Sequence, residues 1–118
     1  MLKLKKTDHI TVNYPEGEAE TAINFYKNIL GLKEIPSLVD KATWFLMGDI
    51  ELHLTAGDID NKLSSRHTAF EIESLDEAKK LLADNNIEIK YSSKITGRER
   101  LFFRDPFGNR FELVEYEV

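Results

Sequence analysis

One order of elements is written twice in this chain. A short strand opening on histidine begins each half, at His9–Val12 and at His67–Ile72. In the first half, Ala19, Ala22, Phe25, Tyr26, Ile29 and Leu30 then recur at steps of three and four, which predicts a helix from Glu18 to Leu30 with one apolar face. Gly31 follows where a left-handed helix stop is needed. In the second half, Ser74 with Glu77 predicts a helix cap, Leu75, Ala78, Leu81 and Leu82 carry the apolar stripe, and Asn85-Asn86 ends it. Three strands follow each helix. They are Leu32–Ile35, Ala42–Met47 and Ile50–Thr55 in the first half, and Ile87–Ile89, Arg100–Arg104 and Phe111–Tyr116 in the second. Gly48-Asp49 predicts a hairpin turn, Asp105-Pro106-Phe107-Gly108 a type I turn, and Ala56–Arg66 a polar surface loop.

The expected fold is therefore α+β. Two tandem βαβββ modules, about 7–56 and about 66–117, form a curved, cup-like mixed sheet with helices on its outer face. The 118 residues make one domain.

Residues two apart in a strand share a face. His9, Thr11 and Asn13 oppose Ile10 and Val12, and Glu51, His53 and Thr55 oppose Ile50, Leu52 and Leu54. In the second half, His67, Ala69 and Glu71 oppose Thr68, Phe70 and Ile72, and Arg110 and Glu112 oppose Phe111 and Leu113. One face takes a helix and the other carries His and Glu. The triplets Ile50-Glu51-Leu52 and Phe111-Glu112-Leu113 stand at similar distances from His9 and His67, so the repeat maps His9 onto His67 and Glu51 onto Glu112. Two His and two Glu on polar sheet faces make a nitrogen–oxygen donor set for a divalent ion such as Ni, Co, Zn, Mn or Fe.

Composition narrows the chemistry. There is no cysteine, so disulfides, thiolate zinc sites and a cysteine nucleophile are excluded. The net charge of −5 argues against bulk nucleic-acid or anionic-membrane binding. No apolar run has the length of a signal peptide or a membrane span, so the cytoplasm is the expected location.

The segment Phe103-Arg104-Asp105-Pro106-Phe107-Gly108-Asn109-Arg110-Phe111-Glu112-Leu113, with Ala22-Ile23-Asn24-Phe25-Tyr26-Lys27-Asn28-Ile29-Leu30-Gly31-Leu32, resembles the vicinal oxygen chelate superfamily. That superfamily includes glyoxalase I, extradiol dioxygenases, fosfomycin-modifying enzymes and bleomycin-binding proteins. The resemblance implies that His9, Glu51, His67 and Glu112 are metal ligands as in glyoxalase I. It also allows His9, His67 and Glu112 alone, as in the dioxygenases and the fosfomycin enzymes. His53, on the face of Glu51 and about 7 Å from it by strand rise, is a competing ligand or base. Asn13 and Thr55 stand where glyoxalase I holds glutathione.

The expected activity is metal-dependent isomerase or lyase chemistry on a small oxygenated substrate, through a metal-stabilised enolate, with Glu51 or Glu112 moving the proton. The alternatives are a non-catalytic small-molecule binder, with Trp44, Phe45 and Phe102 lining its cleft, and a small Fe(II) ring-cleaving dioxygenase. Trp44 and Phe45 are neighbours in one strand, so one of them faces the core. Lys90, Lys94, Arg98, Arg100, Arg104 and Arg110 cluster late, and Arg98, Arg100 or Arg110 could grip an anionic substrate. Asn13, Trp44, His53, Phe102 and Arg110 are the candidate substrate contacts. A homodimer is expected, because it would cover open strand edges.

Overall fold

Alternation in His9–Tyr14 (β1) turns Ile10 and Val12 to one side, and the strand runs parallel to Ile50–Ala56 (β4) with His9 opposite Glu51 and Thr11 opposite His53. The computed structural model describes residues 1–57, 59 and 63–118, so part of the expected loop Ala56–Arg66 lies outside the described residues. The chain divides into two compact units, Met1–Ile59 and Asp60–Val118.

In the first unit the sheet order is β1-β4-β3-β2, where β2 is Glu34–Ile35 and β3 is Thr43–Met47. Gly48, at φ 64°, supports the turn between β3 and β4, which pair antiparallel. Phe45, Leu52 and Leu54 are fully buried on the face that also meets Ala22, Phe25 and Tyr26 of the helical segment. That segment departs from the expected single α-helix. It is α-helical over Ala19–Ile23 (α1) and π-helical over Asn24–Ile29, where Leu30 N–H reaches the Phe25 carbonyl five residues back. The wider turn resets the apolar phase by one residue and keeps both Phe25 and Tyr26 inward. Gly31, at φ 75°, ends the segment as expected.

In the second unit the order is β5-β7-β6, with β5 His67–Glu71, β6 Arg98–Arg104 and β7 Arg110–Tyr116. The helix Leu75–Asp84 (α2) is capped by Ser74, whose Oγ accepts from Glu77 N–H. Glu115 of β7 accepts from Leu75 N–H and ties the same helix end to the sheet. Leu82, Leu101, Phe103 and Phe111 form the core beneath it. The strand expected at Ile87–Ile89 does not form. Asn86 sits at φ 57° and Ile87 N–H is still bonded to the Leu82 carbonyl, so these residues complete the exit from α2. Only Lys90 joins the sheet, through a bridge to Phe102.

The turn before β7 is held from inside. Asp105 is buried, and its carboxylate accepts from Phe107 N–H, Asn109 N–H and Asn109 Nδ2. That fixes where Arg110 and Glu112 begin their strand. No helix among the described residues is long and apolar enough to cross a membrane.

Candidate functional site

The polar face of each sheet gathers the residues the sequence singled out, and each unit has its own arrangement. In the second unit, His67 of β5 and Glu112 of β7 meet diagonally across a parallel pair, with Nε2 and Oε1 3.0 Å apart. Glu112 is 90% buried at its side chain, and Arg100 Nη1 lies 3.6 Å from its other oxygen. Phe102, directly across from Glu112, is flanked by the guanidinium groups of Arg110 at 4.0 Å and Arg100 at 5.4 Å from its ring centre. Its ring meets that of His67 edge-on.

His67 has partners for either neutral tautomer. Its Nδ1 is 3.0 Å from the Ser65 carbonyl and 3.3 Å from Arg110 Nη1. With the proton on Nε2, the ring donates to Glu112 and accepts from Arg110. With the proton on Nδ1, the ring donates to Ser65 and turns an Nε2 lone pair toward the carboxylate. The second form is the one a metal ligand needs.

In the first unit the sheet builds a stack. His53 is stacked between Trp44, whose ring is 3.9 Å away and nearly parallel, and His9, 4.0 Å away. Its Nε2 is 2.9 Å from Glu51 Oε1, and the side chain is only 12% exposed. His9 Nδ1 donates to Asp8, and that hydrogen bond holds the Asp8 carboxyl below its ordinary value. The His9 ring is thus oriented through Nδ1 by a neighbouring carboxylate, as metal-binding histidines are. Asn13 lies on the same face and donates to the Thr55 carbonyl. Phe45, fully buried, is the partner that faces the core, which places Trp44 on the polar face.

The strand registers correct one expectation. His9 pairs with Glu51 and Thr11 with His53, whereas His67 pairs with Arg110 and Ala69 with Glu112. By register, the first-unit counterpart of Glu112 is His53, and that of Arg110 is Glu51. The triplet match that equated Glu51 with Glu112 is shifted by two residues.

Within neither unit do three or more His, Asp or Glu side chains, among the described residues, gather closely enough to hold a metal ion. Each unit offers a pair. The 3.0 Å between His67 Nε2 and Glu112 Oε1 is also the separation expected of adjacent ligand atoms on an octahedral ion with bonds of about 2.1 Å, which is about 3 Å. The donor types and the Nδ1 acceptor therefore fit a divalent cation. Sequence reasoning missed Asp8, although its adjacency to His9 was visible. It also missed the Ser65 carbonyl, a backbone group with no sequence signature.

A family model described as the Glyoxalase/Bleomycin resistance protein/Dioxygenase superfamily matches residues 6–113. Among solved structures, a glyoxalase family protein from Bacillus anthracis is 30% identical, with 99% of each chain covered and a TM-score of 0.87. The fosfomycin resistance protein FosX from Listeria monocytogenes is 27% identical over 98% of this chain and 94% of its own, with a TM-score of 0.80. A variant of FosX, 25% identical over 94% of this chain and 90% of its own at a TM-score of 0.79, is solved with Mn(II) and 1S,2S-dihydroxypropylphosphonic acid. No curated protein matches the chain in sequence.

Proposed function

The chain belongs to the glyoxalase/bleomycin resistance protein/dioxygenase superfamily, and within it we propose a divalent-metal-dependent enzyme. It performs isomerase or lyase chemistry on a small oxygenated substrate. His67 and Glu112 are the ligands of the second unit, and His9 and Glu51 are the candidate ligands of the first. The observation that carries this reading is the His67–Glu112 pair, with Ser65 ready to take the Nδ1 proton. When bound, the cation would act as a Lewis acid on adjacent substrate oxygens.

The remaining roles belong to the chain itself. Glu112 is buried and framed by His67 and Arg100, which suits a fixed ligand. Glu51 is more exposed. One oxygen is held by His53, and the other takes no hydrogen bond from a described residue, so it can accept a proton from a substrate carbon. His53, clamped between Trp44 and His9, is a positioning residue for Glu51. The Mn(II) complex of a FosX variant supports a metal of this class.

The reading includes a homodimer, since β1 pairs only with β4 and β5 only with β7 among the described strands. Light scattering decides between 13.6 kDa and twice that mass.

The test of the metal reading is thermal unfolding with chelator and with added divalent metals. A metal bound only by the native state adds about 2.7 kcal/mol at a hundredfold excess over its Kd. Glu112→Gln removes most of that gain. A melting temperature indifferent to chelator and to every metal contradicts the reading.

A further inference from the structure

Glu112 has two carboxylate oxygens, and the second unit commits them differently. Oε1 lies 3.0 Å from His67 Nε2, while Oε2 lies 3.6 Å from Arg100 Nη1. Strand register explains the second contact. Phe102 of β6 is the Cα partner of Glu112, and Arg100, two residues earlier, shares its face and stands opposite Val114. Arg100 therefore reaches Glu112 on the diagonal, beside the Phe102 ring, whose centre is 5.4 Å from the guanidinium.

Arg100 is not a surface arginine. Its side chain is 14% exposed and that of Glu112 10%. Nη2 donates to the Ser93 carbonyl at 2.9 Å, which fixes the head of the side chain. Nε is buried and bonds to no group among the described residues. A buried cation with an unmet donor depends on its counter-charge, and removing that charge leaves a costly orphan. Glu112 is the one carboxylate that pairs with an arginine among the described residues.

Coordination chemistry makes the split between the two oxygens consequential. Zinc takes a carboxylate oxygen at about 2.0–2.2 Å and needs only one. Calcium, larger and with more ligands, readily takes both oxygens of one carboxylate at about 2.3–2.6 Å. An oxygen directed at a guanidinium is turned away from an ion seated at its neighbour.

We infer that Arg100 is a positioning residue for the cation: it holds Glu112 Oε2, so that Oε1 alone is offered, and the site thereby favours small transition-metal ions over calcium. The inference rests on the metal reading of His67 and Glu112.

The experiment is calorimetric titration of zinc and, separately, of calcium into chelator-treated, dialysed protein, with Arg100→Met and Arg100→Lys alongside. Wild type should bind zinc far more tightly than calcium. Arg100→Met should narrow that preference about tenfold, because Oε2 is freed. Arg100→Lys, which keeps a cation beside Oε2, should restore most of it. The lost positive charge acts on both dications alike, and a loosened fold weakens both, so the ratio of the two affinities isolates the positioning. An unchanged ratio in Arg100→Met overturns the inference.

A second arm needs no metal. In chelator, Glu112→Gln should lower the melting temperature more in wild type than in Arg100→Met, because only wild type is left with a buried, unpaired guanidinium. Additive effects overturn the pairing itself. A wild type that takes up no zinc contradicts the metal reading and the positioning role with it, whereas zinc bound with an unmoved ratio contradicts the positioning role alone.

Discussion

His67 Nε2 and Glu112 Oε1 lie 3.0 Å apart although the two residues are not Cα partners, so the contact crosses the β5–β7 pair on the diagonal. Two electron-rich atoms at that distance need a proton or a cation between them. With the proton on Nε2, Nδ1 accepts from Arg110, 3.3 Å away. A metal on Nε2 requires the proton on Nδ1, where Ser65 accepts it at 3.0 Å. Nitrogen NMR of labelled histidine should show His67 as the Nδ1–H tautomer once a diamagnetic ion such as zinc is added. An Nε2–H tautomer at saturating metal contradicts His67 as an Nε2 ligand.

The two acceptable ligands of β4 separate by mutation. His53 uses Nε2 on Glu51 and has both ring faces covered. His53→Ala should keep stoichiometric metal while slowing turnover, because Glu51 loses its anchor. Glu51→Ala should weaken metal binding about tenfold or more. The reverse pattern would make His53 the ligand, as the strand register alone suggests.

Asp105 tests how the site is positioned. Its carboxylate accepts from three N–H groups across the turn that launches β7. Asp105→Ala leaves buried donors unpaired and should cost about 1–3 kcal/mol in denaturant unfolding. It should also loosen Arg110 and Glu112, so metal affinity falls with stability. A loss of stability without any loss of metal affinity would show that the turn does not set the ligand strand.

Much of this was legible in the alternation of residues. The polar and apolar faces of β1, β4, β5 and β7 follow directly from period two, which puts His9, His67 and Glu112 on polar faces. The correspondence of Glu51 with Glu112 was misread for a physical reason. A shift of two residues keeps every side chain on its face, so alternation cannot detect it. Only the pairings of His9 with Glu51 and His67 with Arg110 reveal it. The π-helical turn at Asn24–Ile29 was hidden because the apolar spacing around it fits an α-helix nearly as well. The strand at Ile87–Ile89 was overread because its apolar residues complete a helix exit. The choice between Trp44 and Phe45 needed the register of β3 on β4, which sets Trp44 across from His53.

The central claim is that this chain holds a divalent cation through His67 and Glu112. Metal analysis of protein purified without added metal, alongside Glu112→Gln, tests it most directly. Close to one Ni, Co, Zn or Mn per chain is expected, with near-complete loss in the variant. Stoichiometric iron would favour ring-cleaving dioxygenase chemistry on the same ligands. No metal in the purified protein, and none taken up on incubation with each of these ions, would contradict the claim.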